Sequence, residues 1–206
     1  MSVHAKPAVT SRPVHDLIKH RWSPRSFESR PVEADKLVAL FEAARWAASS
    51  YNAQPWYFIV GTKDDPETYN KILDSLVEFN QSWAKSAPVL VIGVAAAKFA
   101  HNGEPNRHAF HDLGQATANL AIEATNLGLA VHQMAGMKPD VARKNFGIPE
   151  DYDPATAIAI GYPGAPENLP DQLRETEASP RQRKALESFV FSDKWGHASP
   201  LVGGKK

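Results

Sequence analysis

The sequence predicts a mixed fold, of the α+β or α/β class, in which helices cover both faces of one β-sheet. Three observations support this prediction. Apolar residues recur at helical spacing in several segments. The run Pro88–Ala97 is apolar at almost every position, which is typical of a strand with both faces covered. Predicted strands and helices alternate after the first two helices, and no internal repeat is present.

The first half of the chain is predicted to begin with a flexible leader over residues 1–13. The strongest helix pattern lies in Glu33–Ala48, where apolar side chains recur every three or four positions. Asp65 and Pro66 form a typical helix start, because Asp caps the first turn and Pro fits the first helical position. The other predicted elements of this half are a short helix over Val14–Trp22 and strands over Tyr57–Gly61 and Pro88–Ala97.

The second half is predicted to contain a long helix over His108–Gly128, after the polar loop Lys98–Asn106. This helix is rich in Gly and Ala, so another backbone can approach it closely, at the centre of the protomer or of a dimer. The last forty-five residues contain a proline-rich stretch, and we interpret them as an extension that crosses a partner subunit. The remaining elements are a strand over Ala130–Ala135, a helix over Pro139–Phe146 and a strand over Ala155–Gly161.

Composition excludes several classes of protein. The chain has 206 residues, 43% of them hydrophobic, which suits a single domain with a real core, expected over residues 14–206. The 23 basic and 23 acidic residues argue against a basic nucleic-acid binder or a polybasic membrane-surface protein. Absence of cysteine excludes disulfides and thiolate metal sites. Because no apolar run reaches the ~20 residues of a membrane span, we expect a cytoplasmic protein.

Two arginine-rich segments lie near opposite ends of the chain. Arg21 and Arg25 flank Ser23 after a predicted helix, and Arg181 and Arg183 lie near the C-terminus. An arginine presents a planar fork of donors that fits a phosphate group, and a serine hydroxyl adds one more donor. Taken alone, each segment is more simply explained as a solvated basic turn or tail.

Two further segments contain groups suited to a planar ligand. Ala48–Trp56 links a helix to a strand and is rich in hydrogen-bonding and aromatic side chains, a mix that fits a heteroaromatic ring. Val131–Met137 leads from a strand into small residues, and Gly136 lets a ligand approach the backbone. Taken alone, the first is more simply explained as a loop whose Ser and Asn side chains bond its own backbone, and the second can be a turn that needs a glycine.

Other signals are weaker. His101, His108 and His111 invite a metal hypothesis, but no second ligand pair accompanies them, so we expect no metal site. No glycine-rich dinucleotide or phosphate loop and no Gly-x-Ser-x-Gly elbow is present. A nicotinamide donor would therefore bind only transiently, and a hydrolase of the elbow type is excluded.

Together the four segments resemble the nitroreductase family of FMN-dependent oxidoreductases, from about Val14 to Trp195. The most specific match is Ser49-Ser50-x-Asn52-x-Gln54-Pro55-Trp56, a pattern typical of the family. Four other motifs occur in family order: Arg21-x-Ser23-x-Arg25-x-Phe27, His111-Asp112-Leu113-Gly114 with Asn119-Leu120, Gly128-Leu129 through Gly136-Met137, and Arg181-x-Arg183-x-x-Leu186.

The resemblance implies a phosphate end of the cofactor site. Arg21, Ser23 and Arg183 would contact the FMN phosphate, with Arg181 beside them. Arg25 would lie near the N1 and O2 edge of the flavin. A cation at that edge stabilises the negative charge that builds up on reduction.

The resemblance also implies a ring end. Ser49, Ser50 and Asn52 would contact the flavin from the partner subunit. Ala135 and Gly136 would direct backbone N–H groups toward the N5 side.

One position departs from the family pattern. Asn80 would reach the pyrimidine edge of the flavin, and some family members have a lysine shortly after it. This chain has Gln81, Ser82 and Trp83 there. We therefore expect less compensating charge on the flavin, and Trp83 to shape the acceptor pocket.

The fold and activity that the resemblance implies are specific. The fold would be an α+β sandwich around a mainly antiparallel sheet flanked by helices, as a homodimer with two FMN molecules at its interface. NADH or NADPH would reduce the flavin, which would then reduce a small nitroaromatic, quinone or similar electron-poor acceptor by ping-pong hydride transfer. The alternatives are enoate reduction, dehalogenation or flavin breakdown on the same scaffold, a flavin-binding protein without turnover, and a histidine metal module.

Overall fold

A computed structural model describes residues 6–203 of the chain. Seven helices and four strands lie within this range. The helices are α1 Asp16–His20, α2 Ala34–Arg45, α3 Pro66–Asp74, α4 Glu78–Ala84, α5 Ala109–Asn126, α6 Pro139–Phe146 and α7 Asp171–Ala178. The strands are β1 Trp56–Thr62, β2 Val89–Ala96, β3 Ala130–Met134 and β4 Tyr152–Gly161.

The four strands form one sheet in the order β1-β2-β4-β3. Every neighbouring pair is antiparallel. The α+β class with an antiparallel central sheet is therefore confirmed. The irregularity in register between Gly93 and Val94 of β2 is the only one in the ladders between the described strands.

Both faces of β2 are covered, as its unbroken apolar run predicts. Leu90 and Ile92 belong to one hydrophobic cluster, together with side chains of α3, α4, α6 and α7. Val89 and Val91 belong to a second cluster, with side chains of α2 and α5. Alternate residues of a strand point to opposite faces, so this one strand supplies both cores and fixes the sheet between two helical layers.

Two helices were not predicted from the sequence. The helix α4 carries Asn80, Gln81 and Ser82 in its middle, so its apolar period is too short to recognise. The helix α7 begins directly after Pro170, inside the proline-rich stretch, and buries Leu173 in the core. The first part of the last forty-five residues, interpreted above as an extension, therefore packs on the protomer's own core through α7, and a contact of the rest with a partner subunit stays a prediction.

Residues 6–8 and Arg181 meet at the end of α1. The backbone N–H of Ala8 donates to the Lys19 carbonyl at 2.8 Å, and Arg181 donates to the carbonyls of Lys6 and Lys19. Residues 1–5 of the predicted leader, and residues 204–206 of the predicted domain, lie outside the described residues. Within residues 6–203, no helix combines the length and the apolar character that crossing a membrane requires.

Candidate active site

Three guanidinium groups from the two ends of the chain gather at one place. Burial lowers the pKa of Arg21, and the nearby charge of Arg183 lowers it further. The pKa of Arg181 is lowered by burial and by the charges of Arg21 and Arg183. Arg21 also donates to the Ser23 hydroxyl at 3.2 Å. Like charges held this close disfavour one another, and a bound anion would relieve that repulsion.

The three arginines are not equivalent. One terminal nitrogen of Arg181 is taken by the carbonyls of Lys6 and Lys19, at 2.7 and 3.1 Å. That contact anchors the C-terminal segment to the end of α1. Arg183 is exposed, and among residues 6–203 it donates only to its neighbour Gln182. Arg21 and Arg183 therefore remain the better placed pair for an anionic ligand.

Arg25 is held through its backbone. Its N–H donates to the carboxylate of Glu177 on α7 at 2.9 Å, and the N–H of Ser26 donates to the same oxygen at 3.4 Å. Glu177 is only 3% exposed. The side-chain Nε–H of Arg25 is buried and has no hydrogen-bond partner among residues 6–203. Such an orphaned donor fits a ligand with acceptor atoms at this position.

The other side of this segment rests on β3 and α4. His132 of β3 bonds the Pro24 carbonyl through Nδ1 at 2.9 Å, and its ring packs on Trp83 with the ring centroids 4.6 Å apart. Trp83 is 2% exposed, so the expectation that it shapes an acceptor pocket is wrong. It instead lies under the polypeptide that carries Arg21 and Arg25.

The turn after β3 offers free backbone donors. Within the described part of the chain, the N–H groups of Ala135 and Gly136 donate to no other group. The Gly136 carbonyl accepts from Asn80 Nδ2 at 2.9 Å and from the Val77 N–H at 3.1 Å. The Asn80 carbonyl oxygen accepts from Trp83 at 3.3 Å. The side-chain amide of Asn80 thus bonds to Gly136 and Trp83. Its contact with a flavin stays a prediction.

The serine-rich loop before β1 has an unusual backbone. Tyr51, Asn52 and Gln54 have φ values of 53°, 53° and 49°, in the left-handed region that residues other than glycine seldom adopt. Buried Asp112 of α5 accepts from the Ser50 N–H at 2.9 Å, and Ser49 Oγ accepts from the Gln54 N–H at 3.0 Å. Backbone strain of this kind persists only where surrounding contacts hold it, and it clusters at functional sites.

The serine-rich loop and the Ala135–Gly136 turn do not meet within one protomer. The loop leads into β1 at one edge of the sheet, and the turn follows β3 at the other edge. Three inter-strand spacings separate them, about 14 Å. The structure therefore brings the arginines and the β3 turn to one side, and leaves Ser49, Ser50 and Asn52 at the other.

Two residues important to this arrangement were missed as site residues. Glu177 lies in the stretch interpreted as a tail, and His132 lies inside a strand motif noted only for its glycine. Asp112, which lies in the His111–Gly114 motif, accepts from the Ser50 N–H and so holds the serine-rich loop. Their partners are distant in sequence, so no local pattern marks them. No group of three or more metal-binding side chains is present in residues 6–203.

A groove lies beside the arginines. It has a volume of about 810 Å³ and is bounded by residues 8–12, Val14 and the segment 181–189. The size falls in the usual range of small-molecule sites. Arg181 and Arg183 line it, so the exposed part of the arginine cluster opens onto a concave surface.

The chain is similar in sequence and fold to known proteins. The chain is 33% identical over 147 residues to a 15.4 kDa protein of Mycolicibacterium smegmatis, covering 68% of this chain and 97% of that protein. It is 26% identical over 223 residues to the major NAD(P)H-flavin oxidoreductase of Aliivibrio fischeri, covering 86% of this chain and 96% of that one.

A solved structure described as an oxidoreductase containing FMN superposes with a TM-score of 0.86 at 33% identity, covering 91% of this chain and 95% of that one. The sequence model of the Nitroreductase family matches residues 18–79 and 61–162. The chain belongs to the nitroreductase family.

Proposed function

We propose that this chain binds FMN and acts as an NAD(P)H-dependent flavin oxidoreductase on small, electron-poor acceptors. The observation that supports this most strongly is the arrangement on one side of the sheet: a repelling arginine cluster next to backbone N–H groups without partners. One end suits an anion, and the other suits a ring edge that accepts hydrogen bonds.

The phosphate would bind between Arg21 and Arg183, with the Ser23 hydroxyl beside Arg21. Each charge-assisted hydrogen bond contributes about 1.5–3 kcal/mol. Burial and mutual repulsion lower the pKa of Arg21, and a doubly charged phosphate would offset that repulsion. Arg181, bound to Lys6 and Lys19, would keep the C-terminal segment in place around that phosphate.

The flavin ring would lie between the β3 turn and the Arg25 side chain. The free N–H groups of Ala135 and Gly136 would hold the N5 side, and the unpartnered Nε–H of Arg25 would face the N1 and O2 edge. A cation at that edge favours the reduced cofactor. FMN, when bound, supplies the redox step: it accepts a hydride from NADH or NADPH and passes two electrons to the acceptor.

A second copy of the chain would complete the site. Ser49, Ser50 and Asn52 lie about three strands away from Gly136 in their own protomer, so a partner is the simpler source of that contact. Phe110, Gly114 and Ala118 follow one another at four-residue intervals on an exposed face of α5. The small residues Gly114 and Ala118 let a second helix approach closely, and exposed Phe110 offers it an apolar contact. The C-terminal segment carries exposed Trp195, which suits packing against the partner.

Nicotinamide and acceptor would occupy the same position on the flavin in turn, which predicts ping-pong kinetics. The chain has no dinucleotide loop of its own, in agreement with a transient donor. Quinones and nitroaromatics are the acceptors that we propose. Enoates and halogenated phenols belong in the same screen, because the fold alone does not select among flavin chemistries.

The test is the visible absorbance of the purified protein, recorded without oxygen before and after NADH or NADPH. Flavin bands that bleach with either donor and return with a quinone support the proposal. Protein reconstituted with FMN that stays colourless after desalting would contradict it. Bound flavin that neither donor bleaches would instead assign a flavin-binding protein without turnover.

A further inference from the structure

The two halves of the proposed cofactor site are connected beneath the surface. Asn80 binds the Gly136 carbonyl, and its own amide oxygen accepts from Trp83. Trp83 packs on His132, which bonds the Pro24 carbonyl. Four short contacts therefore link the β3 turn to the segment that carries Arg21 and Arg25.

We infer that His132 is a positioning residue for the phosphate end of the site, acting through the Pro24 carbonyl on the neighbouring arginines. This inference rests on the proposed function, since it presumes that the arginines bind FMN. Pro24 lies directly between Ser23 and Arg25, so a displacement of its carbonyl moves both neighbours. Its ring has no N–H, which leaves the carbonyl as its one backbone hydrogen-bonding group.

The hydrogen bond to the Pro24 carbonyl defines which ring nitrogen of His132 carries the proton. A carbonyl oxygen only accepts, so Nδ1 carries the proton and donates it. Burial lowers the pKa of His132 to about 4, and the charges of Arg25 and Arg21 act in the same direction. The ring is therefore neutral at pH 7. A neutral donor can lie beside two guanidinium groups, whereas a lysine or a protonated imidazole would repel them.

The geometry also explains the buried tryptophan. Trp83 is almost fully covered, and its ring supports the ring of His132 from below while its N–H is satisfied by Asn80. The imidazole can then adopt few orientations, which directs Nδ1 at Pro24. Glu177 holds the same segment from α7 through the N–H of Arg25. The segment is thus fixed at two consecutive residues, Pro24 by β3 and Arg25 by α7.

The experiment compares FMN with riboflavin, which lacks the phosphate. Wild-type protein, His132→Leu and His132→Asn are stripped of flavin, and the dissociation constants of both flavins are measured by fluorescence quenching. Leucine removes the donor and retains bulk, whereas asparagine keeps an N–H near the position of Nδ1. His101→Leu, in the exposed loop after β2, is the matched control.

A positioning role predicts that the preference for FMN over riboflavin falls about tenfold in His132→Leu, because one hydrogen-bonded charge contact weakens. His132→Asn should recover much of that preference, and His101→Leu should keep all of it. An unchanged preference in His132→Leu, or an equal loss of affinity for both flavins, would overturn the inference. If His132→Leu does not fold, His132→Phe, which keeps a ring against Trp83 and has no donor, is measured in its place and judged by the same two outcomes. Wild-type protein that fails to bind FMN would instead overturn the proposed function.

Discussion

Asn80 donates a hydrogen bond to the carbonyl of Gly136 at 2.9 Å, and the absence of a side chain at Gly136 makes room for it. A Cβ at position 136 would lie 2.5 Å from Asn80 Nδ2 and 3.0 Å from a methyl of Val77. The two residues lie 56 positions apart in sequence, and together they fix the turn that offers the free N–H groups.

Gly136→Ala should lower the free energy of unfolding by about 1–3 kcal/mol, because buried Asn80 cannot move aside freely. Adding Asn80→Ala to Gly136→Ala removes the clash. The double variant should therefore lose less unfolding free energy than the sum of the losses in the two single variants. Urea unfolding of the four proteins measures the coupling. Losses that add within about 0.5 kcal/mol would contradict a direct contact.

Asp112→Ala should release the serine-rich loop. The carboxylate is 2% exposed and accepts from the Ser50 N–H, so its removal leaves that donor without a partner at a cost of about 1–3 kcal/mol. Unfolding free energy and the rate of proteolysis at Tyr51 are the measurements. Asp140→Ala, at an exposed position of α6, should change neither. Equal effects of the two variants would show that Asp112 does not hold the loop.

Glu177→Ala should loosen the segment that carries the arginines. Two backbone N–H groups lose their buried carboxylate acceptor, so we expect a loss of about 1–3 kcal/mol in stability and weaker FMN binding. Glu177→Gln keeps an acceptor oxygen, so its stability and its FMN affinity should lie between those of the wild type and of Glu177→Ala. Glu175→Ala on the same helix is exposed and serves as the control. If Glu177→Ala binds FMN as tightly as Glu175→Ala, the carboxylate does not position the site.

His132 makes stability depend on pH in a defined window. Its pKa is lowered by burial from 6.5 to about 4, so between these values the unfolded chain takes up a proton that the folded chain excludes. The stability linked to this group is complete above about pH 6.5 and is lost as the pH falls to about 4, by up to about 3 kcal/mol.

The measurement is urea unfolding at pH 7 and pH 4.5 for wild-type protein and His132→Asn. Other titrating groups are common to both proteins, so the difference between the two pH-dependent losses reports His132. Wild-type protein should lose more stability on acidification than the variant. Identical losses would mean that the imidazole titrates as it does in water.

The sequence predicts most of the fold because the strongest elements have strong local patterns. The apolar run of β2 and the helix start at Asp65 and Pro66 both occur where expected. The helices α4 and α7 were missed because polar residues or prolines mask a short apolar face. Their burial comes from tertiary contacts, such as Leu173 in the core, which no local period records.

The residues of the candidate site also form two groups, those that the sequence identified and those that only the structure shows. Arg21 and Arg183 could be named because the segments that carry them resemble motifs of the nitroreductase family, and the structure brings these residues together. The groups that hold them, His132 and Glu177, bond to backbone atoms more than 100 positions away. Almost every residue has a backbone carbonyl and N–H whatever its type. The sequence therefore does not show which of them a buried side chain will bind, and the structure does.

The central claim is that each flavin site is built by two chains, and mixed dimers test it most directly. One chain carries Arg21→Ala and Arg183→Ala, and the other carries alanine at Ser49, Ser50 and Asn52. Each chain alone should bind little FMN, because every site then lacks one half. Mixed dimers isolated through two different tags should bind about half the FMN of the wild-type dimer, since one site combines both intact halves. Mixed dimers that bind no more FMN than the parent variants would contradict the account.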